Sequence, residues 1–176
     1  MTSAQETNEL SVLGFMQWLE GTPASTFLRE SLWTYPIIES IHVLSLALFL
    51  GFAILFDLRL LGVGMRHIKV SELTARVLPW TGIGAAIMVV SGLVLFAGDP
   101  AKFYGSFFMR IKFLMLAMAV ANALIFHRSA AYVNRLPEWD GSMATPVGAK
   151  IAAGVSIVLW CLIVAMGRWI AYFLPA

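Results

Sequence analysis

Six ionisable residues interrupt apolar runs of this chain. In the stretch YPIIESIHVLSLALFLGFAILFDLRLLG, from Tyr35 to Gly62, Glu39 and His42 lie near one end and Asp57 and Arg59 near the other. The run between them is long enough to cross a bilayer, which takes about 20 residues. Two more cations, Lys112 and Arg168, sit in apolar surroundings further along. Such groups are expensive in hydrocarbon and persist mostly where they face a protein interior, a cofactor or a water-filled cavity. His42 is the first candidate for chemistry. Neutral imidazole ligates haem iron and other metals, and nearby cations neutralise the propionates of a haem. The competing reading is a core histidine satisfied by Glu39 or by a helix carbonyl. Met88, Met115, Met118 and Met166 could complete an axial pair, but methionines in such runs usually fill packing gaps.

Membrane-spanning elements must position these residues. Of the 176 residues 60% are hydrophobic and only 12% charged, which excludes an ordinary soluble domain. A net charge of +2 without a basic run gives no sign of a nucleic-acid partner. The single cysteine, Cys161, supports neither a disulfide framework nor a CxxC metal site. The opening MTSAQETNEL lacks a basic region and an apolar core, so no cleavable signal peptide is expected.

Four spans are predicted, at about 36–61, 75–98, 107–126 and 147–174, making 35–176 one transmembrane domain. Short connections make an all-α, up-down-up-down four-helix bundle the expected fold. Residues 1–34 read as an interfacial arm: a loose polar start, a short amphipathic helix from Leu10 to Trp18, and a second helix opened by Thr22-Pro23. Arg59, Arg66, Lys69 and Arg76 after the first span, with Arg128, Arg135 and Lys150 after the third, hold seven of the twelve basic residues. The positive-inside rule puts those loops in the cytoplasm and both termini on the periplasmic side of a bacterial inner membrane. Asp57 and Arg59 then read as interfacial anchors at the inner boundary, and His67 as a solvated loop residue. The glycine-rich second span could also pack on another copy in a homo-oligomer.

Helix rise converts sequence position into depth. His42 lies six residues in from Pro36, Lys112 five in from Phe107 and Arg168 six in from Leu174, so all three share a slab about 9 Å from the outer ends. Ser91 and Gly92 of the second span are level with it, and a glycine beside a histidine leaves room for the flat face of a macrocycle. Glu39 and Arg110 sit just above. His127 lies about 20 Å deeper, too far to share an iron with His42 within one subunit. It is either a ligand of a second site, with Asn122 lining the pocket, or an interfacial residue at a helix C-terminus.

The patterns YPIIESIHVLSLALFLG with DLRLLG, FMRIKFLMLAMAVANALIFH and GRWIAY resemble a poorly characterised bacterial family of small four-helix membrane proteins. More distantly, the histidine of the first span and the lysine opening the third resemble the HemJ-type protoporphyrinogen oxidases, which bind haem b, and the CopD-type copper-resistance proteins. That resemblance implies His42 as the haem histidine and Lys112 as the counterpart of the third-span lysine. Together these readings lead to an expected b-type haem protein, with one haem or two, passing electrons between a quinone and a redox partner protein. His42, Gly92, Lys112 and Arg168 would hold the outer haem, and His127 with Asn122 an inner one. The alternatives are passage of copper or another small solute along Glu39, His42 and Asp57, and a structural membrane subunit whose buried charges fix bundle register.

Overall fold

The computed structural model describes residues 3–129, 135–140 and 144–173, and every regular element among them is helical. In chain order these are α1 (Ser3–Glu20), α2 (Pro23–Glu30), α3 (Thr34–Leu61), α4 (Val70–Gly98), α5 (Pro100–Gly105), α6 (Phe107–Arg128) and α7 (Val147–Phe173), with a further helical stretch at 135–140 between α6 and α7. α3, α4, α6 and α7 are long and apolar enough to cross a membrane. No more than 22% of the apolar window of any of them is buried within the protein, so the remainder needs lipid as its solvent. The protein is an all-α four-helix membrane bundle.

Local chemistry sets the helix ends. Thr22 caps α2 by accepting from the Ser25 amide at 3.3 Å, and Pro23 occupies the first turn, where its missing N–H costs nothing. α3 stops at Gly62, whose φ of +75° is left-handed. The Gly62 amide returns to the Arg59 carbonyl and the Val63 amide to that of Leu58, so the chain turns without orphaning the last carbonyls. α4 begins at Val70, earlier than the sequence reading placed it, because the Asp140 carboxylate accepts from the Ser71 amide at 3.2 Å. That is a cap supplied by a residue 69 positions away, which no local pattern contains. The expected loose start is also corrected: α1 begins at Ser3, in a run whose Ala, Gln and Glu residues favour helix. The turn expected between the second and third spans contains the short helix α5.

The arm docks against the end of α4. The last carbonyls of a helix have no intrahelical partner. At α4 the Ser25 hydroxyl donates to the Ala97 carbonyl, and the Arg29 guanidinium donates to that of Gly98 at 3.2 Å. Arg29 also lies 3.6 Å from both Glu20 and Asp99. The arm therefore caps the span that faces His42.

The spans pack as an open row. α4 packs on α3, α3 on α7 and α7 on α6, while α4 and α6 make no close backbone approach among the described residues. The α3–α4 seam is tightest at Gly84, where an added Cβ would stand 2.8 Å from the Phe49 amide nitrogen. A small residue there lets the backbones meet, as close helix packing in lipid requires. Phe49 also meets Trp160 of α7 edge-to-face, with ring centroids 4.7 Å apart. At the His127 end, Leu60, Val70, Phe126, Trp139, Ala149 and Ala153 form the main buried cluster, with Trp139 of the 135–140 stretch plugging it. Thr145 ties into this end by donating to the Leu60 carbonyl at 2.7 Å.

Candidate functional site

At the end near the arm, His42 of α3 faces α4. Its Nδ1 is 3.0 Å from the Ser91 hydroxyl oxygen. That hydroxyl lies 2.6 Å from the Ile87 carbonyl one turn back and 3.2 Å from that of Met88, and its single proton belongs to these acceptors. With that proton on the Ile87 carbonyl, the shortest of these contacts, the hydroxyl accepts from His42. That arrangement puts the imidazole proton on Nδ1 and leaves Nε2 with its lone pair, which is how a second partner fixes the tautomer of a metal-binding histidine. The ring rests on Gly92, where an added Cβ would come within 3.0 Å of Cε1 and 3.5 Å of Nδ1. Gly92 therefore makes room for the imidazole itself, which corrects the expectation that this gap waits for a macrocycle.

Lys112 of α6 is half-buried, and its Nζ packs against Gly167 of α7, 3.5 Å from where a Cβ would stand. Its charge falls within electrostatic range of the His42 ring, although α3 and α6 make no close backbone approach among the described residues. It makes no hydrogen bond or ion pair with any described residue. These two residues, brought from α3 and α6, are what the structure retains of the expected slab.

The other members lie elsewhere. Arg168 is exposed and turns along its own helix, donating to the Tyr172 hydroxyl at 3.3 Å and lying 5.7 Å from that ring's centroid. The expected interior position of Arg168 is thus corrected: the residue after Gly167 is rotated about 100° away from Lys112. Arg110 is likewise exposed, donating to the Tyr104 carbonyl and stacking over its ring. Glu39 is exposed and in no ion pair among the described residues.

At the opposite end the surprise is Asp57 and Arg59. Neither is an interfacial anchor: Asp57 is 7% exposed and Arg59 only 1%. The Arg59 Nε donates to the Ile68 carbonyl at 2.6 Å, pinning the loop between α3 and α4, while its Nη2 is buried without a partner among the described residues. Asp57 shares a cleft with Ser156 of α7, and its Oδ2 is buried with no partner among those residues. The stripe from His42 through Leu46, Phe49 and Ala53 leads to Asp57 at helical spacing, and that was the available signal for its inward aim.

Asp57 lines a cleft of about 360 Å³ between α4 and α6, walled by side chains of all four spans. Asn122 and His127 line it too. The Asn122 amide donates to the Ala152 carbonyl at 3.0 Å, tying α6 to α7. His127 is exposed, has Nδ1 2.8 Å from the Ala123 carbonyl and stacks on Phe56 with ring centroids 6.4 Å apart. His42 and His127 thus belong to different ends, as the depth argument required. Among the described residues no three His, Cys, Asp or Glu side chains converge as a metal cluster.

Comparison with known proteins places the chain by family alone. No curated protein and no solved structure matches it. A family model described as "Family of unknown function (DUF6644)" matches residues 8–173, and the chain belongs to that family.

Proposed function

We propose that this member of the DUF6644 family is a b-type haem protein of the bacterial inner membrane, with both termini on the periplasmic side, that carries electrons between a membrane quinone and a partner protein. The observation that carries the reading is an imidazole hydrogen-bonded to Ser91 through Nδ1, which leaves Nε2 for a ligand bond, at the same end of the bundle as a half-buried ammonium that has no counter-charge among the described residues. An unpaired cation within a span is costly, and an anionic ligand beside it removes that cost.

The residues fit a haem at these two points. Ser91 holds the His42 ring in the tautomer that exposes Nε2 as an iron ligand, and Gly92 lets the ring lie flat against α4. Lys112 supplies the positive charge for a propionate. A bound haem contributes one-electron redox chemistry, whose potential the axial ligand and the burial of the site tune. Arg168, turned to Tyr172, is left as a headgroup-level residue. Among the described residues the copper reading draws no support from donor clustering.

The test is a reduced-minus-oxidised absorption spectrum of protein produced with ample haem. The expected result is a Soret and an alpha band that His42→Ala abolishes and that Ser91→Ala and Lys112→Gln broaden or weaken. Colourless wild-type protein overturns the proposal, and full haem content in His42→Ala overturns the ligand assignment.

A further inference from the structure

The cleft around Asp57 has a chemistry of its own, separate from His42. It lies between α4 and α6, the two spans that do not pack on one another among the described residues, so it is open along the gap between two lipid-facing helices. Its walls are predominantly apolar, and Phe56 and Trp160 offer aromatic surfaces. A volume of about 360 Å³ lies within the range of small-molecule sites, which are mostly apolar with a few placed polar groups.

Two of its polar groups, Asp57 and Asn122, offer acceptor oxygens. Asp57 is more than nine-tenths buried, with Ser156 beside it in the same cleft and Oδ2 left without a donor among the described residues. Asn122 donates one amide hydrogen to the Ala152 carbonyl, and its side-chain oxygen is an acceptor. A buried carboxylate oxygen without a donor is expensive, and the cost is removed by a ligand that brings one. A ligand arriving from hydrocarbon must itself be neutral, which excludes a simple ammonium. It must be flat enough for the aromatic walls and carry a hydroxyl at its edge. We infer that the cleft between α4 and α6 binds a membrane-dissolved hydroxyaromatic of the quinol class, with a ring hydroxyl donating to Asp57 and the ring lying among Phe56 and Trp160. The inference takes up the quinone of the proposed function and gives it a site, but it needs no haem at His42, so colourless protein that still prefers the quinol would overturn the haem and leave this site standing.

The experiment compares a decyl-tailed benzoquinol with its dimethyl ether, which has the same ring and tail but no donor. Binding to the protein in nanodiscs is followed anaerobically by quenching of tryptophan fluorescence. The wild type is expected to bind the quinol about tenfold or more tighter than the ether, the difference of one hydrogen bond to a charged group. In Asp57→Leu that preference disappears, and in Ala123→Phe, which fills the cleft without touching the carboxylate, both ligands weaken. Without ligand, Asp57→Leu unfolds at a higher temperature than the wild type, because a buried acceptor without a donor has been replaced by an apolar side chain. That separates a ligand-binding carboxylate from one kept for the fold. Equal affinity of the wild type for quinol and ether overturns the inference, as does a preference that survives in Asp57→Leu.

Discussion

Gly84→Ala tests whether the α3–α4 seam holds the His42 site in register. The added Cβ would lie 2.8 Å from the Phe49 amide nitrogen and 3.1 Å from both its Cα and Cβ, whereas ordinary contact begins at 3.4 Å. Two of those three atoms are backbone and the third is fixed to it, so no rotamer change relieves the clash and the helices must part by about 0.6 Å. His42 precedes Phe49 by seven residues and Ser91 follows Gly84 by seven, so the two contacts lie on one antiparallel seam about 10 Å apart. If the seam opens evenly, the 3.0 Å contact between His42 and Ser91 lengthens to about 3.6 Å, beyond a hydrogen bond. Overpacking of this kind costs about 1–3 kcal/mol. Gly82→Ala is the internal control. It lies on the same helix with nothing within 4 Å of the added Cβ, and should gain about 0.5–1 kcal/mol from helix propensity. Thermal unfolding in detergent, followed by circular dichroism, should rank Gly82→Ala above wild type and Gly84→Ala below it. The ¹⁵N shifts of His42 should report the loss of its Nδ1 proton bond in Gly84→Ala alone. Equal stability of the two variants, or an unchanged imidazole signal in Gly84→Ala, refutes the reasoning.

Arg59→Ala should destabilise the bundle by about 2–4 kcal/mol, through the lost bond to Ile68 and the lost packing of its stem, while Arg59→Met should retain much of that packing. Chemical unfolding that placed Arg59→Ala level with wild type would show the buried guanidinium to be idle. Ser25→Ala removes the donor to the Ala97 carbonyl and should weaken arm docking by about 1 kcal/mol, seen as roughly fivefold faster amide hydrogen exchange in α2 with the spans unaffected. Unchanged exchange in α2 would mean that Arg29 alone fastens the arm.

Composition and period determined the bundle. Four apolar runs, the Thr22-Pro23 cap and the glycine after Leu61 are local signals, and a helix in lipid must satisfy its own backbone, so these runs had no alternative structure. Depth was legible for the same reason: a fixed rise per residue places His42 level with Ser91 and Gly92, and the structure joins them. Azimuth was not. The faces of Lys112 and Arg168 depend on which neighbour each helix meets, and only the order α4, α3, α7, α6 turns Lys112 against Gly167 and Arg168 away to Tyr172. Burial at the far end was equally hidden. Asp57 and Arg59 sit at positions where a span normally meets headgroups, and the Ile68 carbonyl that holds Arg59 and the cleft wall at Ser156 beside Asp57 lie outside their own helix. Sequence carries local backbone energetics, and these residues therefore announced that ionisable groups lay within the membrane domain. Which of them share a cavity is decided by long-range side-chain packing, which exists only once the four helices have met.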